Sequence, residues 1–229
     1  PCPHPPPHRT TPLTDAALNA RNFARHVNTP YLPDDGYDLV VNYAAAHHIA
    51  HLDTVLRRVA ELLPEGGVFA SVDYIGPHRN QYGYDQWQAA TELNQTLPEA
   101  FRADLPYPHL PTMLHGDPTE AIHSELIMET AQRYFTLVEN NPIGGGLAYL
   151  VLSFNRGVHD HPSAERDALV QQVLDADVAW TEQNEPLFAF FWGRPNKAAL
   201  NETADLARWS KEEERREQAA AANGGGVVE

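Results

Sequence analysis

The sequence predicts an α/β fold built around parallel strands, and three consecutive segments predict it. Residues 37–43 form a short β-rich run with apolar residues on both faces, which is typical of a buried parallel strand. From Leu52 to Leu63 the apolar residues recur at helical spacing, and a Pro-Glu-Gly-Gly turn ends that helix. Residues 68–75 form a second run of the buried-strand type. The order strand, helix, glycine turn and strand predicts a right-handed βαβ unit.

The rest of the chain divides into a linker, one domain and a tail. Residues 1–13 are rich in proline, which removes backbone donors and fixes φ, so we predict an extended linker. The domain covers residues 14–195 and begins with a short helix over residues 14–20. It continues with helices over residues 86–97, 119–133, 147–154 and 164–183 and strands over residues 134–139 and 187–192. A helical insertion of about residues 81–133 is expected to act as a lid. Residues 196–229 are polar and are predicted to be a disordered tail.

Composition excludes several classes of function. The formal net charge of −15 argues against nucleic-acid binding, because a phosphate backbone requires a basic face. No apolar run approaches the roughly 20 residues of a membrane helix, and no signal peptide is recognisable. The single cysteine fits a reducing compartment, so a cytoplasmic protein is expected. The first residue is Pro, and we expect the chain to start inside a longer reading frame.

Five motifs in a fixed order carry a resemblance to a known family. The chain resembles class I S-adenosylmethionine-dependent methyltransferases over about residues 28–194, most clearly in Leu32-Pro33, Tyr37-Asp38-Leu39-Val40-Val41, His47-His48-Ile49, Leu63-Pro64-Glu65-Gly66-Gly67 and Asp73-Tyr74-Ile75-Gly76-Pro77. The resemblance implies a Rossmann-like doubly wound sheet in which residues 37–43 are the fourth strand and residues 68–75 the fifth. The last two strands would form an antiparallel pair at the far edge. The implied activity is methyl transfer from S-adenosylmethionine to a small-molecule acceptor.

The chain departs from the family pattern at its beginning. No Gly-x-Gly loop and no acid that would hold the cofactor ribose precede the fourth strand, so the sheet is expected to be truncated in its N-terminal, cofactor-binding half. Residues 23–27 could be what remains of the third strand. Without the first strand, Leu39 and Val41 would belong to an uncovered apolar edge. Three explanations are open: the chain is a fragment, it forms a homodimer through that edge, or another segment covers the edge.

The resemblance also implies a set of site residues. The cofactor would be bordered by His26, Asn42, Tyr43 and Ala44, and the substrate by Asp73, Tyr74 and Arg79. Methyl transfer to a hydroxyl or amine needs a group that removes a proton, and an imidazole titrates near neutral pH. The candidates for a general base are His47, His48 and His78.

Two other interpretations use the same residues. His47 and His51 are four residues apart, which on a helix would suit Zn²⁺, and His48 and Asp53 are close by. Ile49 and Ala50 fill the middle of this spacing, without the general base that the Glu of a His-Glu-x-x-His motif supplies, and no metal site is predicted. A non-catalytic remnant of the family would instead use the cleft as a binding module. Its aromatic anchors would be Tyr82, Tyr84, Trp87 and Trp192.

Overall fold

The computed structural model describes residues 36–160 and 162–202, and within these residues the centre of the fold is a four-stranded mixed sheet. The strands lie in the order β1-β2-β4-β3. β1 pairs in parallel with β2, and β4 is antiparallel to both of its neighbours. The bounds are Leu39–Tyr43 for β1, Val68–Tyr74 for β2, Phe135–Gly144 for β3 and Phe188–Pro195 for β4. The predicted α/β class, the parallel pair and the antiparallel far edge are confirmed.

The helix α1, Leu52–Leu62, connects the two parallel strands. Its buried side chains Leu52, Leu56 and Val59 recur at helical spacing and face the sheet. The turn after it is tight, because the Gly67 amide donates to the Pro64 carbonyl at 2.8 Å. A Cβ on Gly67 would lie 2.9 Å from the Pro64 ring, so glycine is needed for this close approach.

The main core lies between one face of the sheet and the helices α1 and α4, where α4 is Ile127–Tyr134. The sheet contributes Phe69, Phe135 and Phe191, and the Phe69 and Phe135 rings stack at 4.8 Å between centroids. Burying each such ring stabilises the fold by about 1.5–3 kcal/mol. The core therefore holds α1 and α4 firmly against the strands that carry the site.

A second core is helical and includes α2, α5, α6 and α7. The bounds of the remaining helices are Tyr84–Thr96 for α2, Leu110–Gly116 for α3, Ala148–Leu152 for α5, Arg156–Asp160 for α6 and Ala164–Thr181 for α7. A small aromatic cluster that includes Tyr74, Tyr82 and Phe188 connects this second core to the sheet. Among the described residues, no helix has the length and apolar character needed to cross a membrane.

Two predicted elements have different bounds in the structure. The helix predicted over residues 119–133 begins only at Ile127, because Asp117 accepts a hydrogen bond from the Thr119 amide and Ala121 has a positive φ of 47°. Both features form turns rather than helix. The strand predicted over residues 134–139 continues to Gly144, since its polar second half pairs with β4.

β1 is an edge strand of the described sheet, and three of its apolar side chains are exposed. Leu39, Val41 and Tyr43 are 56%, 63% and 76% exposed. These alternate side chains of the edge strand point to one face of the sheet, and Val40 on the opposite face packs against the main core. The predicted uncovered edge is thus present in the described part of the chain. The predicted tail begins at residue 196, and its described part packs on the domain, because Leu200 is buried in the main core and Lys197 Nζ donates to the Ala60 carbonyl at 2.7 Å. The linker, the helix over residues 14–20, the strand remnant with His26 and the tail from residue 203 lie outside the described residues.

Candidate functional site

The site is built on the loop that leaves the carboxyl end of β1. Ala44 has a positive φ of 48°, which turns the chain sharply, and its amide donates to the Val72 carbonyl of β2. A short 3-10 turn over Ala46–His48 follows. Because β1 and β2 are parallel, this loop lies beside the carboxyl end of β2, where open α/β sheets bind ligands.

Asp73, at the end of β2, holds this loop in place. Its side chain is buried, and its two oxygens accept hydrogen bonds from five donors. Oδ2 accepts from the Asn42 amide at 2.6 Å, from Ala46 N at 2.7 Å and from Ala45 N at 3.2 Å. Oδ1 accepts from His47 Nδ1 at 2.5 Å and from the amide of the following tyrosine at 2.8 Å.

His47 and Asp73, whose side chains are both buried, shift each other's pKa. Burial disfavours the charged form of His47, but the hydrogen bond and charge of Asp73, with Glu120 and Asp117 further away, raise the pKa of His47 above its ordinary value. Burial likewise opposes ionisation of Asp73, yet the hydrogen bonds from His47 and Asn42 lower the pKa of its carboxyl group. Since a carboxylate only accepts hydrogen bonds, Nδ1 of His47 carries a proton and Nε2 points away from Asp73.

His48 lies next to His47, with ring centroids 4.1 Å apart. Its Nδ1 donates to the Thr119 carbonyl at 3.1 Å, so its proton also lies on Nδ1. Both Nε2 atoms face Oε2 of Glu120, at 3.8 Å from His47 and 3.6 Å from His48. These distances exceed those of hydrogen bonds.

The segment that carries Glu120 is fixed by residues after β2. The Arg79 guanidinium donates to the carbonyls of Pro118 and Glu120, at 2.5 and 3.2 Å. The Asn80 amide donates to Oε1 of Glu120 at 3.4 Å, which leaves Oε2 directed at the two imidazoles. Nothing in the sequence signals Glu120, because the fold brings it to His47 from 73 positions further along the chain.

The residues predicted to border the cofactor occupy different environments. The Asn42 amide is already engaged by Ser71 Oγ at 2.8 Å and by Asp73. Tyr43 and Ala44 are exposed at the end of β1. His26 lies outside the described residues. The four cofactor contacts stay predictions, and only Tyr43 and Ala44 present free surface on the described loop.

The predicted substrate residues lie at the end of β2, for Asp73 and Tyr74, and shortly after it, for Arg79. Tyr74 is buried and donates its hydroxyl to the Pro77 carbonyl at 3.1 Å, and burial raises its pKa far above the usual range. Arg79 uses its guanidinium to hold the segment that carries Glu120. Asp73 has both oxygens engaged, as described above. Their contacts with a substrate stay predictions, and in the structure these side chains shape the site.

The three candidate bases do not form one group. His47 and His48 lie together, whereas His78 is exposed and donates Nδ1 to the Ile122 carbonyl at 2.5 Å. His78 belongs to a second cluster with His123 and Glu125. The pairing of His47 with His51 on one helical face is wrong, because His47 lies in the 3-10 turn and His51 is the non-helical residue that precedes α1.

Two further features bear on ligand binding. The glycine-rich turn at Gly144 and Gly145 does not present free amides, because the Asp177 carboxylate accepts from Gly145 N and Leu147 N, both at 2.7 Å.

A cavity of about 360 Å³ opens beyond the carboxyl end of β2, and Gly76, Gln86, Glu125, Met128 and Leu187 are among its lining residues. That volume falls within the range of small-molecule pockets.

The chain is similar to curated proteins over part of its length. It is 34% identical over 82 residues to an uncharacterized methyltransferase of Mycobacterium bovis and to one in each of two strains of Mycobacterium tuberculosis. The matched segment covers 31% of this chain and 42% of each relative, so the chain spans less than half of their length. No protein-family profile matches the chain. The resemblance to methyltransferases is confirmed over this part of the sequence.

Solved structures show weaker likenesses. The cyclase SpnF aligns with a TM-score of 0.36 and 12% identity, over 73% of this chain and 53% of that one. A phosphoethanolamine N-methyltransferase of Haemonchus contortus, solved with S-adenosylhomocysteine, aligns with a TM-score of 0.35 and 16% identity, over 69% of this chain and 33% of that one. At these scores the alignments bear on neither the cofactor nor the acceptor of this chain.

Proposed function

We propose that the chain carries the acceptor-side part of an enzyme that transfers a methyl group from S-adenosylmethionine to a small molecule. The observation that carries the proposal is the loop from Asn42 to His48, which Asp73 fixes at the carboxyl ends of two parallel strands. Ligands of open α/β sheets bind outside these ends. The partial sequence match to curated methyltransferases supports the same chemistry.

The described residues fit one wall of an S-adenosylmethionine site. Tyr43 and Ala44 are exposed beside the end of β1 and are free to contact a ligand, whereas the Asn42 amide is not. The cofactor supplies a sulfonium-activated methyl group, so the protein mainly has to align the acceptor and receive its proton. Binding of the nucleoside part requires residues other than those that the structure describes, so it has to be tested on the full chain.

A small-molecule acceptor is the best supported class. The cavity beyond β2 has a volume of about 360 Å³, and it borders the second histidine cluster through Glu125. The net charge of −15 disfavours a nucleic-acid acceptor. His78 follows the cavity-lining Pro77, and because its Nδ1 donates to a main-chain carbonyl, Nε2 is the nitrogen left to accept a proton.

Calorimetric titration of S-adenosylhomocysteine into the tag-free full chain tests the proposal. We expect micromolar binding, and Tyr43→Ala should weaken it by about 10-fold, the loss typical of truncating one large contact. Phe154→Ala is the matched control, because Phe154 is 87% exposed and lies between α5 and α6. A folded sample that binds no ligand at millimolar concentration would contradict the proposal and favour the non-catalytic binding module.

A further inference from the structure

Two imidazoles and one carboxylate converge in the described structure in a way that the proposed function does not require. One ring nitrogen each of His47 and His48 and a carboxylate oxygen of Glu120 all lie within 4.8 Å of one another, and the nitrogens nearest to Glu120 are the two Nε2 atoms. The contacts to Oε2 are 3.8 and 3.6 Å. A tetrahedral ion with ligands at about 2.1 Å places its ligand atoms roughly 3.4 Å apart, so the present separations are close to those of a bound ion.

The hydrogen bonds around the three groups determine which atoms face the centre. His47 donates Nδ1–H to Asp73, and His48 donates Nδ1–H to the Thr119 carbonyl. The carboxylate and the carbonyl oxygen accept hydrogen bonds and cannot donate them, so Nδ1 is the donor in each ring. Nε2 of each neutral imidazole then directs its lone pair toward Glu120. When both rings are neutral, three acceptor atoms face one another without a donor among them and repel one another. A positive charge at their centre, either a proton on Nε2 or a metal ion, removes that repulsion.

Outer partners of this kind are what metal-binding histidines use. A ligating imidazole commonly donates its other N–H to a carboxylate or a main-chain carbonyl, which fixes the ring and its tautomer. The site has one partner of each type, and Glu120 is itself held by the Asn80 amide through Oε1. Asp73 is buried and anchored by four further donors, so the ring of His47 has little freedom.

We propose that His47, His48 and Glu120 bind one divalent transition-metal ion of the Zn²⁺ class. Two imidazoles and one carboxylate suit Zn²⁺ and Fe²⁺ better than Ca²⁺ or Mg²⁺, which prefer oxygen ligands. The side chains of His48 and Glu120 are 36% and 28% exposed, so water can complete the coordination. The binding of the ion does not depend on methyl transfer.

The ion is measured directly. Tag-free full-length protein is loaded with Zn²⁺, passed over a chelating resin and analysed for metal by mass spectrometry. We expect one Zn²⁺ per chain. Replacement by Co²⁺ should give a visible absorption band whose intensity distinguishes tetrahedral from octahedral coordination.

Three variants locate the site. Glu120→Gln keeps the shape of the side chain and its contact with Asn80, and His48→Ala changes a half-exposed residue, so both variants should fold. Each should lower the Zn²⁺ affinity by about 100-fold. Removing a residue that only hydrogen-bonds to a ligand costs about 10- to 100-fold, and removing the ligand itself should cost at least as much. His123→Ala, in the second and more exposed cluster, should leave the affinity unchanged.

Two results would overturn the proposal. One is wild-type protein that retains no Zn²⁺ after the resin, and the other is affinity lost in His123→Ala but kept in Glu120→Gln. Neither result depends on S-adenosylhomocysteine binding, so the metal site and the proposed methyl transfer can fail separately.

Discussion

Replacing Asp73 by Asn tests whether this carboxylate organises the whole carboxyl end of the parallel pair. Asn has the same shape but only one acceptor oxygen. If that oxygen takes the place of Oδ2, it keeps the contacts with Asn42, Ala45 and Ala46. The new NH₂ group then faces the N–H groups of His47 and Tyr74, which donate to Oδ1 in the parent protein.

The expected loss of stability follows from these contacts. The variant loses a charge-assisted hydrogen bond, worth about 1.5–3 kcal/mol, and leaves one buried amide without an acceptor, at about 1–3 kcal/mol. We therefore expect a loss of about 3–5 kcal/mol, in line with the removal of one partner from a buried pair. At a urea m-value of about 2 kcal/mol/M, the unfolding midpoint should fall by roughly 2 M.

Urea unfolding monitored by circular dichroism measures this loss. Asp175→Asn is the matched control, because Asp175 is exposed on α7 and accepts only from the Gln171 side chain within its own helix. That variant should change stability by less than about 0.5 kcal/mol. If Asp73→Asn unfolds within 1 kcal/mol of the parent at the same m-value, the carboxylate does not organise the loop and the reasoning is wrong.

Three further predictions concern other parts of the fold. Gly145→Ala should destabilise by about 2–4 kcal/mol in thermal unfolding, since φ is +88° and the new Cβ would lie 2.6 Å from a phenylalanine ring of β4, whereas Gly116→Ala, with no atom within 4 Å, should not. Val41→Lys should reduce self-association in sedimentation velocity, because it places a charge on the exposed edge of β1. The hydrogen bond from the Trp192 indole to Glu139, with a second from a nearby asparagine, lowers the pKa of that carboxyl group, so its stabilisation is present above its ordinary pKa and is lost as the pH falls through the lowered one. Trp192→Phe should raise the pKa of Glu139 in an NMR titration, and an unchanged value would contradict this cause.

The sequence predicted those parts of the fold that repeat a local pattern. The apolar period of α1 and the two β-rich runs beside it predict the parallel unit, because the spacing of the apolar residues in each segment indicates which of its side chains are buried. The extension of β3 to Gly144 was not predictable in the same way. Its polar second half would form turns by local preference, and only pairing with β4 makes it a strand.

The site was predictable only from one side. His47 and His48 follow β1 and Asp73 lies at the end of β2, and the rule that parallel strands end at one edge brings them together. Glu120 comes from a turn fixed by Arg79 and Asn80, and that turn depends on long-range contacts that have no period in the sequence. The same contacts give Arg79 a structural task besides its predicted contact with substrate.

The two proposed roles of His47 exclude each other at one atom. Nδ1 is occupied by Asp73, so Nε2 is the nitrogen that either accepts a proton from the methyl acceptor or ligates the ion. Glu120 separates the two cases, because it faces Nε2 in both but is a ligand in only one. If His47 is the base, Glu120→Gln removes a charge that stabilises the imidazolium, and turnover falls without any change in metal content. If His47 is a ligand, the same substitution releases the ion, and the base has to be sought at His78, which follows the cavity-lining Pro77 and whose Nδ1 donates to a main-chain carbonyl.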